Sequence, residues 1–268
     1  MSALQTTARE LLDAGDVKVV VGYEVGTTPS RRRPCFIQKP DQVDRLMFDA
    51  NCHTNLAVYL LKAEVRALGK AAMVAHPGTL RTILQYAAEN QLADGVVMAV
   101  AITIDGSVTV LNDFAAIEQY LATAARRRRD ELEQEIAALD QMPREQRWTY
   151  WSDQMASCVK CYACRAACPL CYCSRCITDM NQPQWLPVAS SPLGNLEWNV
   201  IRAMHLAGRC IDCGACAAAC PQGIRIDILN FALTREMQTQ FGAEAGYGTR
   251  RGYALSTWQA EDREAFIR

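Results

Sequence analysis

Eight of the cysteines fall into two copies of one pattern. Cys158, Cys161, Cys164 and Cys168 are followed by Pro169, and Cys210, Cys213, Cys216 and Cys220 by Pro221, each run reading C-x2-C-x2-C-x3-C-P. Three thiols spaced by two residues wrap a tight turn around one compact body. The fourth has entered the next helix and points elsewhere, and the proline turns the chain away. The body this spacing holds is a 4Fe-4S cubane, and where two such runs occur the fourth cysteine of each ligates the other cluster. The expected sets are Cys158, Cys161, Cys164 and Cys220 for cluster I, and Cys210, Cys213, Cys216 and Cys168 for cluster II. C-x2-C pairs also bind zinc, but a complete duplication with both prolines favours two iron-sulfur clusters. Small neighbours such as Ala163, Ala166, Gly214 and Ala217 let backbone amides approach cluster sulfides.

Three cysteines remain in the same stretch: Cys171, Cys173 and Cys176. Their C-x-C-x2-C spacing is compatible with a third metal site completed by Cys52, with Cys35 or His53 as other fourth ligands. A zinc knuckle or reduced thiols packed beside cluster II fit the spacing as well.

Thirteen cysteines in a chain of net charge -1 argue for a reducing compartment and metal or redox chemistry rather than a disulfide frame. The N-terminal MSALQTTARELLDAGD has no signal-peptide character, and no apolar run nears the roughly 20 residues that span a bilayer, so the expected setting is cytoplasmic. Balanced charge supplies no global field for nucleic acid or an anionic membrane. Arg126 to Arg129 are followed by DELEQE, whose i,i+4 pairing reads as a solvated helix face. Arg31, Arg32 and Arg33 suit either plain surface or a dock for an acidic partner.

The first 112 residues read as an α/β domain. VKVVVGY, AAMVAH and GVVMAVAI have the composition of buried strands, and NLAVYLLKAEVRALG and TLRTILQYAAEN carry helical spacing between them, which implies parallel pairing. Residues 113–157 form a helical linker capped at Asn112 or Asp113, with a break at Pro143. Residues 158–230 form the dicluster ferredoxin domain, with an insertion at 171–205. A C-terminal tail over 231–268 offers Tyr253, Trp258 and Phe266 as interface anchors for docking.

The runs CVKCYACRAACPLCYCSRC and RAMHLAGRCIDCGACAAACPQGI, with the helix-strand segment from NLAVYLL to GVVMAVAI, resemble one family. It comprises iron-sulfur proteins related to the beta subunits of deazaflavin-dependent hydrogenases and dehydrogenases, met with formate dehydrogenases and heterodisulfide-reductase-like complexes of anaerobes. The resemblance implies an electron-transfer subunit that meets catalytic and electron-accepting subunits. It also raises an alternative, a flavin-binding subunit that reduces a soluble carrier. Relatives carry a Lys-Gly-Cys-Asp type turn where this chain has Ala75, His76, Pro77 and Gly78, and no glycine-rich fingerprint is present, which tells against flavin. His76 stands where a helix N-terminus would face an anion, or simply starts the helix. No G-x-S-x-G, H-E-x-x-H or P-loop pattern occurs, so no catalytic site of the chain's own is assignable.

Overall fold

The computed structural model describes residues 1–124, 127–180 and 182–249, and of residues 127 and 128 only the backbone. Tyr253, Trp258 and Phe266 lie outside the described residues. The elements in chain order are α1 (Ala3–Asp13), β1 (Val19–Val25), β2 (Arg32–Ile37), α2 (Ala63–Arg66), β3 (Ala71–Ala75), α3 (Pro77–Ala88), β4 (Val97–Ile102) and β5 (Val108–Leu111). Then follow α4 (Phe114–Thr123), α5 (Arg127–Asp140), α6 (Arg144–Ala156), α7 (Ala163–Ala167), α8 (Pro192–His205), α9 (Ala215–Ala218) and α10 (Ile226–Phe241).

One mixed sheet orders its strands β2-β1-β3-β4-β5. The three central strands are parallel, with Val19 opposite Ala71 and Ala71 opposite Val97. They are buried along almost their whole length, as apolar runs covered on both faces must be. Both edges are antiparallel hairpin partners that the sequence reading did not identify. β2 reads as a loop because RRPCFI carries two arginines and a proline, features that suit an edge strand. Its arginines are paired internally, Arg32 with Asp49 and Arg33 with Glu24. NLAVYLLKAEVRALG is not one helix: a 3-10 turn at Leu56–Tyr59 and the four-residue α2 occupy it.

α3 is the element on which the molecule turns. Ten of its twelve residues are buried, including Thr79, Arg81, Thr82 and Gln85, which an ordinary amphipathic helix would expose. The sheet covers one side and the cysteine-rich half covers the other. The Tyr86 hydroxyl donates to the Pro169 carbonyl at 2.7 Å, and the Arg81 Nη1 donates to the Ile211 carbonyl at 2.8 Å. Leu170, Leu206 and Ile211 accordingly belong to the same buried apolar cluster as the strands.

The linker region forms separate helices. Asp113 caps α4 by accepting from Ala116 N–H at 2.7 Å, and Pro143 precedes α6. Leu132, Ile136 and Leu139 of α5 pack on Ile228 and Phe231 of α10. Arg129 is held here rather than solvated: it pairs with Glu133 and Glu244 and lies over the Phe231 ring. Residues 245–249 fold back on α3 and α4, with Ala245 O accepting from Arg81 and Thr249 N–H donating to Glu118. Among the described residues no helix is long and apolar enough to cross a membrane.

Candidate iron-sulfur centres

The two cysteine runs repeat in backbone as well as in spacing. Lys160 and Tyr162 in the first loop have positive φ (50° and 57°), and Asp212 and Gly214 stand at the equivalent places in the second (56° and 73°). A left-handed conformation costs a residue with a side chain about 1–2 kcal/mol, and the two loops accept it at three non-glycine positions, Lys160, Tyr162 and Asp212. The return is a concave turn whose N–H groups face inward, the backbone form that receives anions and iron-sulfur clusters. Lys160 N–H donates to Cys158 Sγ at 3.4 Å, and Asp212 N–H does the same for the Cys210 thiol. A short helix leaves each loop, α7 after Tyr162 and α9 after Gly214.

Cys168 lines a single cavity with Cys210, Cys213 and Cys216, and Asn230 Nδ2 reaches Cys216 Sγ at 3.7 Å there. Cys164 lies within electrostatic reach of Cys158 and Cys220, and those two flank the apolar cluster that contains Cys164 and Cys216. Cys161 is exposed at the outer edge of its loop. Burial pushes the Cys216 thiol up to about 12, and raises Cys164 and Cys210 as well. Thiols so placed are protonated without metal, so iron binding must displace their protons.

The remaining cysteines are dispersed. Cys171 and Cys173 border a groove with Cys161 and Cys168, while Cys176 receives Asp179 at its backbone N–H. A hydrogen bond from Cys168, with Arg202 and Arg209 nearby, lowers the Cys171 thiol to about 6. Cys52 is buried against Asp49, His53 is exposed, and Cys35 is a core residue of β2 whose thiol burial pushes up to about 12. Among the described residues no group of three or more His, Cys, Asp or Glu is arranged to hold one metal ion. A cubane differs from one ion because its ligands stand around the periphery of a larger body, and Cys168, Cys210, Cys213 and Cys216 border one common space.

The second loop packs on the turn between β3 and α3, at the carboxyl end of a parallel strand, where open α/β sheets bind ligands. A Cβ placed on Gly78 would come within 3.0 Å of the Cys213 Cβ. His76 caps α3: its Nδ1 accepts from Gly78 N–H at 3.1 Å, while the rest of the ring turns toward the Thr54 backbone. Burial lowers its pKa to about 4, leaving a neutral ring that starts the helix rather than an anion contact. Arg81 binds the loop from α3, lying 3.6 Å from the buried Asp212 carboxylate.

Sequence reading missed the buried face of α8. Asn195, Asn199 and Arg202 lie at i, i+4 and i+7 and are at most 2 % exposed. Asn195 Nδ2 donates to Cys158 O at 2.7 Å, and Arg202 Nη2 to Cys164 O at 3.1 Å. The signal was present as a polar helical stripe beside Trp198, which packs edge-on against Tyr162.

Residues 157–225 match the family model of a 4Fe-4S dicluster domain. Over 86 residues, 32% of this chain, the sequence is 35% identical to the F420-dependent formate dehydrogenase subunit beta of Methanocaldococcus jannaschii, and the match spans 21% of that relative's length. The duplicated loops, the crossing of Cys168 into the second cavity and these two matches converge on one assignment: residues 157–225 are a 4Fe-4S dicluster domain, and through it the chain is related to dicluster iron-sulfur subunits.

Proposed function

We propose that the chain is an electron-transfer subunit of a multi-subunit oxidoreductase of the formate dehydrogenase kind, with Cys158, Cys161, Cys164 and Cys220 holding cluster I and Cys210, Cys213, Cys216 and Cys168 holding cluster II. The observation that carries this reading is the place of Cys168, which belongs by sequence to the first run and by position to the cavity of the second. When bound, the clusters supply one-electron redox chemistry. The residues around them supply the insulation and the geometry. The second loop lies under α3, whereas Cys161 and the adjoining Val159 are exposed, so the outer edge of the first loop is the face on which a partner subunit approaches. The catalytic and electron-accepting partners are assigned on the relationship to the formate dehydrogenase subunit. Cys213 of the second loop lies against Gly78 in the turn after β3, so the flavin-binding alternative draws no support from that turn.

Anaerobically prepared chain is expected to hold about eight iron and eight sulfide. Cys168→Ser is expected to damage the cluster of the second run and spare that of its own. Stoichiometric zinc without sulfide, or selective damage to the cluster of the first run, would refute the assignment.

A further inference from the structure

A buried arginine needs a counter-charge, and Arg202 has no carboxylate among its described partners. It is 2 % exposed, its Nη2 is spent on the Cys164 carbonyl, and its Nε and Nη1 are buried without any hydrogen-bond partner. Leaving a cation so placed in a desolvated site costs several kcal/mol. The groups within its electrostatic reach are Cys164, Cys168, Cys171 and Cys216, drawn from both runs and from the insertion, and of these Cys171 also takes a side-chain hydrogen bond from it. α8 fixes it there. Ser191 caps the helix, Asn195 ties it to Cys158, and Arg202 falls in the last turn, where the helix dipole favours a cation.

We infer that Arg202 is the shared counter-ion of both clusters, a positioning residue that neutralises anionic charge beside cysteines of both runs and raises both reduction potentials. The inference rests on the dicluster reading. A cubane with four thiolate ligands is an anion in either oxidation level and gains one more negative charge on reduction. A fixed cation therefore favours the reduced form, and one close to ligands of both centres acts on both. The unpartnered Nε and Nη1 are the donors that remain for thiolate or sulfide acceptors. A purely structural arginine, present only to hold the Cys164 carbonyl, would act on the first run alone.

The test is an EPR-monitored redox titration of the loaded chain, with iron and sulfide counted on each sample. Arg202→Gln is expected to lower both midpoint potentials enough to shift the reduced-to-oxidised ratio at a fixed poise by about tenfold, which is 59 mV for a one-electron couple. Arg202→Lys, which keeps the charge, is expected to restore most of the loss. If Arg202→Gln fails to retain iron, retention with near-native potentials in Arg202→Lys still supports the charge role. Failure of both variants to load overturns it in favour of a steric role. Unchanged potentials, or a shift confined to one cluster, overturn it as well. Failure of the underlying reading is separate, because it would appear as wild-type chain lacking two clusters.

Discussion

Gly78→Ala tests whether the α/β half shapes the second cluster loop. The added methyl would lie 2.9 Å from His76 Cε1 and 3.0 Å from Cys213 Cβ. Carbon atoms prefer about 3.5–4.0 Å, so each neighbour must retreat by roughly 0.5–1 Å. Neither retreat is free. The His76 ring is held by the hydrogen bond from Gly78 N–H, and a helix cap is worth about 1 kcal/mol. Cys213 stands between two left-handed residues, Asp212 and Gly214, which fix its approach. Overpacking costs about 1–3 kcal/mol, against which alanine recovers about 0.5–1 kcal/mol of helix propensity. A net loss of about 1–3 kcal/mol is expected in anaerobic thermal unfolding of the loaded chain. One of the two reduced-cluster EPR signals should change shape while the other stays as in wild type. A variant with native stability and two unaltered signals would refute the packing of this turn on the second loop.

Glu89→Ala should destabilise the chain by about 1.5–3 kcal/mol in denaturant titration, because it removes the carboxylate that the Arg209 Nε and Nη2 bond at 2.7 and 2.6 Å. Burial pushes the Glu89 carboxyl up, but its bonds from Arg209 and Tyr172 outweigh this and hold the folded value below the ordinary one. The contribution is therefore complete above the unfolded carboxylate pKa and is lost as pH falls through the folded value; melts between neutral and acid pH should show this slope in wild type and less of it in the variant. The triple variant Cys171→Ser, Cys173→Ser, Cys176→Ser should keep about eight iron, since Cys176 does not line the groove that Cys171 and Cys173 border and Cys52 lies against Asp49 instead. A loss of iron or zinc on elemental analysis, with both cluster signals intact, would instead establish a third centre.

The parts of the fold that were legible are those written in local periodicity. β1, β3 and β4 announce themselves as buried apolar runs, and α3 as a helix with Leu80, Ile83 and Leu84 on one side. β2 was hidden because its arginines and Pro34 are affordable only at a sheet edge, a property of position that composition does not carry. The cysteine runs were legible because cluster spacing is a short-range constraint. Arg202 and Asn195 were not, since their meaning depends on α8 lying against loops some 40 residues earlier in the chain. Arg129 was misjudged for the same reason: its i,i+4 acid is real, but Glu244 and Phe231 reach it from the far end of the sequence.

The two repeats share one backbone form and differ in what surrounds it. At the second position between the first two cysteines the first loop has Lys160 and the second has Asp212. Lys160 turns its ammonium out to the carbonyls of Pro187 and Ala189, so that cation secures the insertion. Asp212 stays against Cys210 Sγ at 3.9 Å, buried, with Arg81 of α3 beside it. A negative group and desolvation both oppose the added charge of a reduced cluster, whereas exposure to water at Cys161 eases it. Equal ligand sets therefore do not make equal centres. The α/β half supplies this inequality through α3: Gly78 admits the loop, Arg81 binds it, and Tyr86 and Glu89 hold the segments on either side. The α/β half thus reaches the second cysteine loop chiefly through α3, and the groove beside the first through Val58, Leu61 and Lys62.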